Sequence, residues 1–171
     1  MIKKLKLTNY GCYKNRTFKF GQFTIVSGPA GSGKTTLIRA VCDAVVGKTN
    51  IPPRQWPKNG DFKASWSPKK PNMMLHLNLD VLWKANGKKS AGESAISRLK
   101  RFLKTCGERP DRIVLLDDIF RPLDEIQRKK AMAVILRSYS HGGQFVLTDT
   151  NLLPQPLFGA TGKVTPIKLP L

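Results

Sequence analysis

Gly28-Pro29-Ala30-Gly31-Ser32-Gly33-Lys34-Thr35 is the stretch on which the reading of this chain turns. Its spacing is G-x-x-x-x-G-K-[ST], and the flanking sequence supplies the strand and helix that the pattern needs. Upstream, Gln22-Phe23-Thr24-Ile25-Val26-Ser27 reads as a buried strand. Downstream, residues 34–46 read as a helix stopped by Gly47. Glycines let the backbone curl so that successive N–H groups point inward at phosphate oxygens. The helix that follows adds its positive N-terminal end. In such a loop Lys34 reaches the β- and γ-phosphates and the Thr35 hydroxyl ligates Mg²⁺. The expected nucleotide-binding set is therefore Gly28, Pro29, Ala30, Gly31, Ser32, Gly33, Lys34, Thr35 and Thr36, with Thr36 read mainly as packing.

The second half of such a site is visible in Arg112-Ile113-Val114-Leu115-Leu116-Asp117-Asp118. An apolar run ending in acids describes a buried strand that delivers carboxylates to the C-terminal edge of a sheet, where α/β proteins bind ligands. Asp117 is expected to hold Mg²⁺ through water, and Asp118 to orient or deprotonate the attacking water. Lys34 and Asp118 are thus the expected catalytic pair, and Thr35 and Asp117 the metal pair. No Asn-Lys-x-Asp motif for reading guanine occurs, which favours ATP over GTP. The cofactors implied are ATP and Mg²⁺.

Around these two segments the chain alternates strand and helix, which predicts an α/β fold with a mainly parallel sheet flanked by helices. Residues 2–8 and 16–20 read as an antiparallel β hairpin turning at Asn9-Tyr10-Gly11. Residues 48–72 are rich in proline and lysine and read as a surface excursion carrying Trp56 and Trp66, which either stack on bases or pin the segment to the core. A strand is expected over 73–84, an amphipathic helix over 90–106, a short strand over 113–116, a helix over 124–139 and a strand over 144–148. The Pro-rich tail from 151 to 171 has room for an edge strand near 163–169. His76 and His141 have no partner ligands in sequence reach and read as structural.

The 171 residues fit a single domain, 1–171, and carry 30 basic against 11 acidic side chains, a net charge of +19. Such an excess predicts attraction to polyanions (DNA, RNA or an acidic membrane surface), nucleic acid before others, and charge alone does not separate DNA from RNA. The basic face of the 90–106 helix (Arg98, Lys100, Arg101, Lys104) is either a solvated surface or a track for DNA. No apolar run is long enough to span a bilayer, and no membrane partner is expected. Three scattered cysteines and no leader-like N-terminus suggest a cytoplasmic setting, or association with nucleoid or viral DNA.

These pieces together resemble the RecF/SMC class of ABC-type P-loop ATPases. The likeness runs through the opening hairpin into the phosphate loop. Ser90-Ala91-Gly92-Glu93 is similar to the class's signature, Asp117-Asp118 with Pro122-Leu123-Asp124 to its paired aspartates and D-loop, and Gln144 through Thr150 to its last core strand and switch, here Thr148 or Asp149. The resemblance implies a homodimer that forms with ATP, Ser90 and Gly92 of one copy covering the γ-phosphate of the other while Asp124 communicates across the interface. It further implies work in DNA repair, recombination or genome maintenance. Ser90-x-x-Glu93 before an apolar helix is also a capping box, and the two readings are compatible. The sequence departs from the class at Ala30, usually Asn, and at Gly11, usually basic, with Lys14 or Arg16 as substitutes. Gln55 is a poor Q-loop candidate. The interval from Lys34 to Ser90 is too short for a coiled coil, so the expectation is a minimal head domain; whether a separate protein partner supplies what the coiled coil does is left open by the sequence. The alternative is a small viral-type DNA-packaging or helicase-like ring ATPase, in which Ser90–Glu93 is only a cap and Arg137 acts as a finger. A third reading is a nucleic-acid-binding module that uses ATP as a switch.

Overall fold

The computed structural model describes residues 1–47, 60–67, 69–78, 91–105, 109–150 and 164–170. Ile2, Leu5 and Leu7 face inward while Lys4, Lys6 and Thr8 face solvent, so Ile2–Tyr10 forms a one-sided strand, β1. It pairs antiparallel with β2 (Tyr13–Lys19), Leu5 opposite Phe18 and Tyr10 opposite Tyr13. Pairing persists to that last couple, so the turn is the two residues Gly11-Cys12, one step later than expected, with Gly11 at a left-handed φ of 58°.

The surface excursion expected over 48–72 contains an edge strand that the sequence did not suggest. Asp61–Trp66 forms a strand, β4, on the other edge of β1, with Leu5 opposite Ala64 and Leu7 opposite Phe62. Phe62, Ala64 and Trp66 alternate with polar residues and pack against the core, and the prolines of the segment fall on either side of them. Trp66 is therefore a pin to the core; residues 48–59, with Gln55 and Trp56, lie outside the described residues.

Five strands form the second sheet: β3 (Phe23–Ser27), β5 (Met73–Asn78), β6 (Arg112–Asp117), β7 (Gln144–Asp149) and β8 (Val164–Lys168). Their order is β5-β6-β7-β3-β8, every neighbouring pair parallel. Central β3, β6 and β7 are buried along their whole length, which is why they read as nearly unbroken apolar runs. Pro166 is tolerated because β8 is an edge.

Among the described residues the helices are α1 (Lys34–Val46), α2 (Ala91–Thr105) and α3 (Glu125–Ser140). Alternate strand residues feed two cores. Ile113, Leu115 and Val146 meet Leu37, Ile38 and Val41 of α1 together with Ile2, Leu5 and Leu7 of β1. Val114, Leu116, Phe145 and Leu147 meet Leu99 and Leu103 of α2 and Met132 and Ile135 of α3. Of the helix expected at 90–106 the described residues 91–105 are helical, and the one expected at 124–139 spans 125–140; Ser90, Cys106 and residues 79–84 lie outside the described residues.

Two polar side chains inside the core tie these layers. The Gln144 carboxamide, 1% exposed, accepts from the Ile2 N–H and donates to the Ile2 and Gly21 carbonyls, each at 2.8 Å, joining the two sheets. Arg112 reaches the end of α3, donating to the Ser138 carbonyl at 2.7 Å and to Gly142 O, where a helix C-terminus favours a cation.

Candidate functional site

Because the large sheet is parallel, β3, β6 and β7 all end at one edge. β7 lies between the other two, so the phosphate loop after Ser27 and the acid at Asp117 stand two strand spacings apart, about 10 Å. The pairing of Ser27 with Asp149 and of Val26 with Thr148 brings the expected switch residues between them.

The loop is held open by backbone that favours glycine: Gly31 at φ 83° and Gly33 at φ 95°, the latter at the N-cap of α1 with no side chain capping it. Lys34 is buried, and its Nζ donates back to the carbonyls of Gly28 at 2.7 Å and Pro29 at 2.8 Å. The Ser32 hydroxyl is buried with no hydrogen-bond partner among the described residues. The loop thus offers a buried cation, a spare hydroxyl and the uncapped amides of α1, which fits a polyphosphate. Pro29 and Ala30 form its outer arm, and Thr35 is exposed at its mouth.

Sequence reasoning missed how the hairpin closes over this loop. A Cβ on Gly33 would lie 2.6 Å from Cys12 Sγ and 2.7 Å from the Tyr13 hydroxyl, which itself donates to Gly33 O at 3.0 Å. A Cβ on Gly11 would lie 2.5 Å from Thr36 Cγ2, so Thr36 packs under the turn. Tyr10, at the end of β1 before the turn, donates to Asp43 Oδ2 at 2.6 Å. Burial holds the Tyr10 and Tyr13 phenols above their ordinary range, and the Asp43 contact adds to the shift at Tyr10. Burial, then the Asp43 and Asp117 carboxylates, push the Cys42 thiol up to about 12.

At the other side of the edge, Thr148 organises the two acids. Its hydroxyl, fully buried, donates to Asp117 Oδ1 at 2.7 Å and accepts the Asp118 N–H at 2.8 Å. Asp118 sits at φ 54°, a conformation that Asp and Asn tolerate better than most side chains. Thr150, not singled out from sequence, donates to Asp118 Oδ1 at 2.9 Å. The available signal was a pair of hydroxyls two residues apart, Thr148 breaking the apolar pattern of β7 and Thr150 just past its end. Asp117 and Asp149 are both buried. Among the described residues no group of three or more His, Cys, Asp or Glu encloses a metal. The buried Asp117 carboxylate is the kind of donor Mg²⁺ takes, an ion that keeps its waters and uses one or two carboxylates plus phosphate oxygens.

Asp124 caps α3, its Oδ1 accepting the Gln127 N–H at 2.7 Å. Glu93 and Asp124 line the same groove between α2 and α3, and Lys104 and Arg137 line a cavity of about 470 Å³ further along the same two helices. The helices therefore run side by side in one direction, and the α2 N-terminus, with Ala91 and Gly92 in its first turn, faces the same edge as the acids. Ser90 lies outside the described residues.

A family described as "AAA domain" matches residues 4–67, the hairpin through β4. Over the whole domain the similarity is to the SMC head domain from Thermotoga maritima, with a TM-score of 0.58 and 15% identity, covering 96% of this chain and 94% of that one. The chain has the SMC/ABC-type P-loop ATPase fold. Two curated relatives each match part of the chain. One, the "OLD nuclease" of Thermus scotoductus, is 35% identical over 63 residues, 37% of this chain. The other, "Uncharacterized protein 094L" of Invertebrate iridescent virus 3, is 44% identical over 48 residues, 27% of this chain. The matches span 11% and 6% of those proteins. Among the described residues no helix is long and apolar enough to cross a membrane.

Proposed function

We propose that this chain binds Mg-ATP in the Gly28–Thr36 loop and hydrolyses it between two copies of itself, in the manner the RecF/SMC resemblance implies. The observation that carries the reading is the convergence of the phosphate loop, the Asp117–Asp118 pair and the α2 N-terminus on one edge of the parallel sheet.

Lys34 exchanges its two loop carbonyls for phosphate oxygens, which keeps its buried ammonium solvated by fixed dipoles throughout. Bound Mg²⁺ supplies Lewis-acid polarisation of the phosphates. Thr35 and Asp117 hold it, Asp117 being fixed by the Thr148 hydroxyl. Asp118, aimed by Thr150 and by its own left-handed backbone, orients the attacking water and takes its proton. The second copy presents Ser90, Ala91, Gly92 and Glu93 to the γ-phosphate and Asp124 to the shared seam. Ile126, 66% exposed beside Asp124, supplies an apolar contact for that seam. ATP then favours the dimer and hydrolysis releases it. The net charge of +19 makes DNA the natural partner, in repair, recombination or genome maintenance in the cytoplasm or on a nucleoid or viral genome.

Light scattering on Asp118→Asn with Mg-ATP tests the arrangement. A dimer that forms only with nucleotide is expected, and a pentamer or hexamer would shift the reading to a ring motor of the viral-packaging or helicase type. Ser90→Arg is expected to retain ATP but lose turnover; undiminished hydrolysis would remove the signature from the site.

A further inference from the structure

One face of the antiparallel sheet packs toward α1, and the other carries nothing among the described residues. The strand register sets its side chains in rows. Lys19, Lys4 and Ser65 stand abreast, and Thr17, Lys6 and Lys63 stand abreast in the next row, all of them exposed. Lys4 thus lies directly opposite Lys19, and Lys6 directly opposite Lys63. Like charges so placed on a sheet are destabilising, yet the backbone ladder holds them there. None of the four lysines has an acidic partner among the described residues, and Asp61 is the one acid on the face. Neighbouring strands are about 4.8 Å apart and alternate residues about 6.8 Å apart along a strand. Four ammonium groups therefore share a flat patch about 10 Å across.

We propose that this face seats a nucleic-acid phosphate backbone, held by Lys4, Lys6, Lys19 and Lys63, with the Thr17 and Ser65 hydroxyls as additional donors. The inference deepens the nucleic-acid part of the function proposed above and rests on it, but moves the contact from the basic face of α2 to the sheet. A polyanion relieves the repulsion that the register imposes, which a solvated lysine face does not require. A lipid surface fits less well, because interfacial binding buries apolar side chains as well as pairing charge. The exposed large apolar residues among the described ones, Val46 and Ile126, both lie elsewhere.

Fluorescence anisotropy with a labelled DNA duplex, and with one of its strands, between about 50 and 200 mM salt tests this. The variants are the quadruple Lys4→Gln, Lys6→Gln, Lys19→Gln, Lys63→Gln and, for comparison, the triple Lys100→Gln, Arg101→Gln, Lys104→Gln. Nucleotide binding and thermal unfolding of each check the fold, with Lys6→Thr, Lys63→Thr as a milder pair should the quadruple fail to fold. The quadruple is expected to lose about 3–4 from the slope of log K against log salt, at roughly 0.9 per phosphate contact. The milder pair should lose about half of that, and the α2 triple far less. If wild type binds nucleic acid and the sheet variants match its slope, the surface is wrong while the function proposed above stands. If wild type binds neither probe, or binds only vesicles of anionic lipid, the nucleic-acid reading falls and this inference with it.

Discussion

Thr148→Val removes one oxygen and keeps the shape of the side chain, at the point where the two acids of the site are joined. The lost hydroxyl donates to Asp117 Oδ1 at 2.7 Å and accepts the Asp118 N–H at 2.8 Å. A hydrogen bond to an ionised group is worth about 1.5–3 kcal/mol, and a buried N–H left without an acceptor costs about 1–3 kcal/mol. The two share an atom and do not add fully, so a loss of about 2–4 kcal/mol is expected. That is a large part of the roughly 5–15 kcal/mol that holds a domain folded. At about 2–4 °C per kcal/mol for a domain of this size, the midpoint should fall by about 5–15 °C. Urea denaturation of Thr148→Val beside Thr148→Ser, which keeps the hydroxyl, is the assay, with an unchanged m-value as the check on two-state behaviour. Mg²⁺-dependent nucleotide affinity should fall in the valine variant as well, because Asp117 loses the group that orients it. A valine variant within about 0.5 kcal/mol of wild type would refute the reasoning, since surface-like substitutions already scatter that much.

Other outcomes follow from the same geometry. Lys34→Ala should weaken retention of labelled ATP by about 100-fold, or about 2.7 kcal/mol; unfolding measured alongside separates this from the loss of the two donations to the loop carbonyls of Gly28 and Pro29. Gly33→Ala should lose about 2–4 kcal/mol in chemical denaturation, combining a left-handed φ of 95° with a methyl forced against Cys12 and Tyr13. Above pH 9 stability should decline with rising pH. The unfolded Cys42 thiol ionises from its ordinary value of 9.0, whereas the folded one stays protonated until about 12, so the unfolded state releases the proton first. Urea midpoints at pH 8 and pH 10 measure this, and Cys42→Ala should flatten the difference.

The central strands were legible because burial on both faces demands nearly continuous apolar sequence, as in Phe23–Ser27 and Arg112–Asp117. Helix α1 was legible to the residue, since a glycine stands at each end of its apolar run. β4 was not. The prolines on either side of it suggested a surface excursion, and only pairing with β1 gives the six residues between them a reason to be extended. The order of the parallel strands was equally out of reach, because neighbours in the sheet are not neighbours along the chain.

The residues around Lys34 and the acids at Asp117 and Asp118 declare their chemistry locally, through glycines that permit a curled backbone and an apolar strand that ends in charge. Sequence alone therefore determined that a curled glycine loop and a carboxylate pair at a strand end exist. Tertiary structure decided that they share an edge, that Thr148 is the hydroxyl binding Asp117 to Asp118, that the Gly11-Cys12 turn roofs the loop, and that four lysines from three strands crowd one face. Those contacts join residues far apart in the chain, and their partners are selected by strand register and packing, which no local pattern encodes.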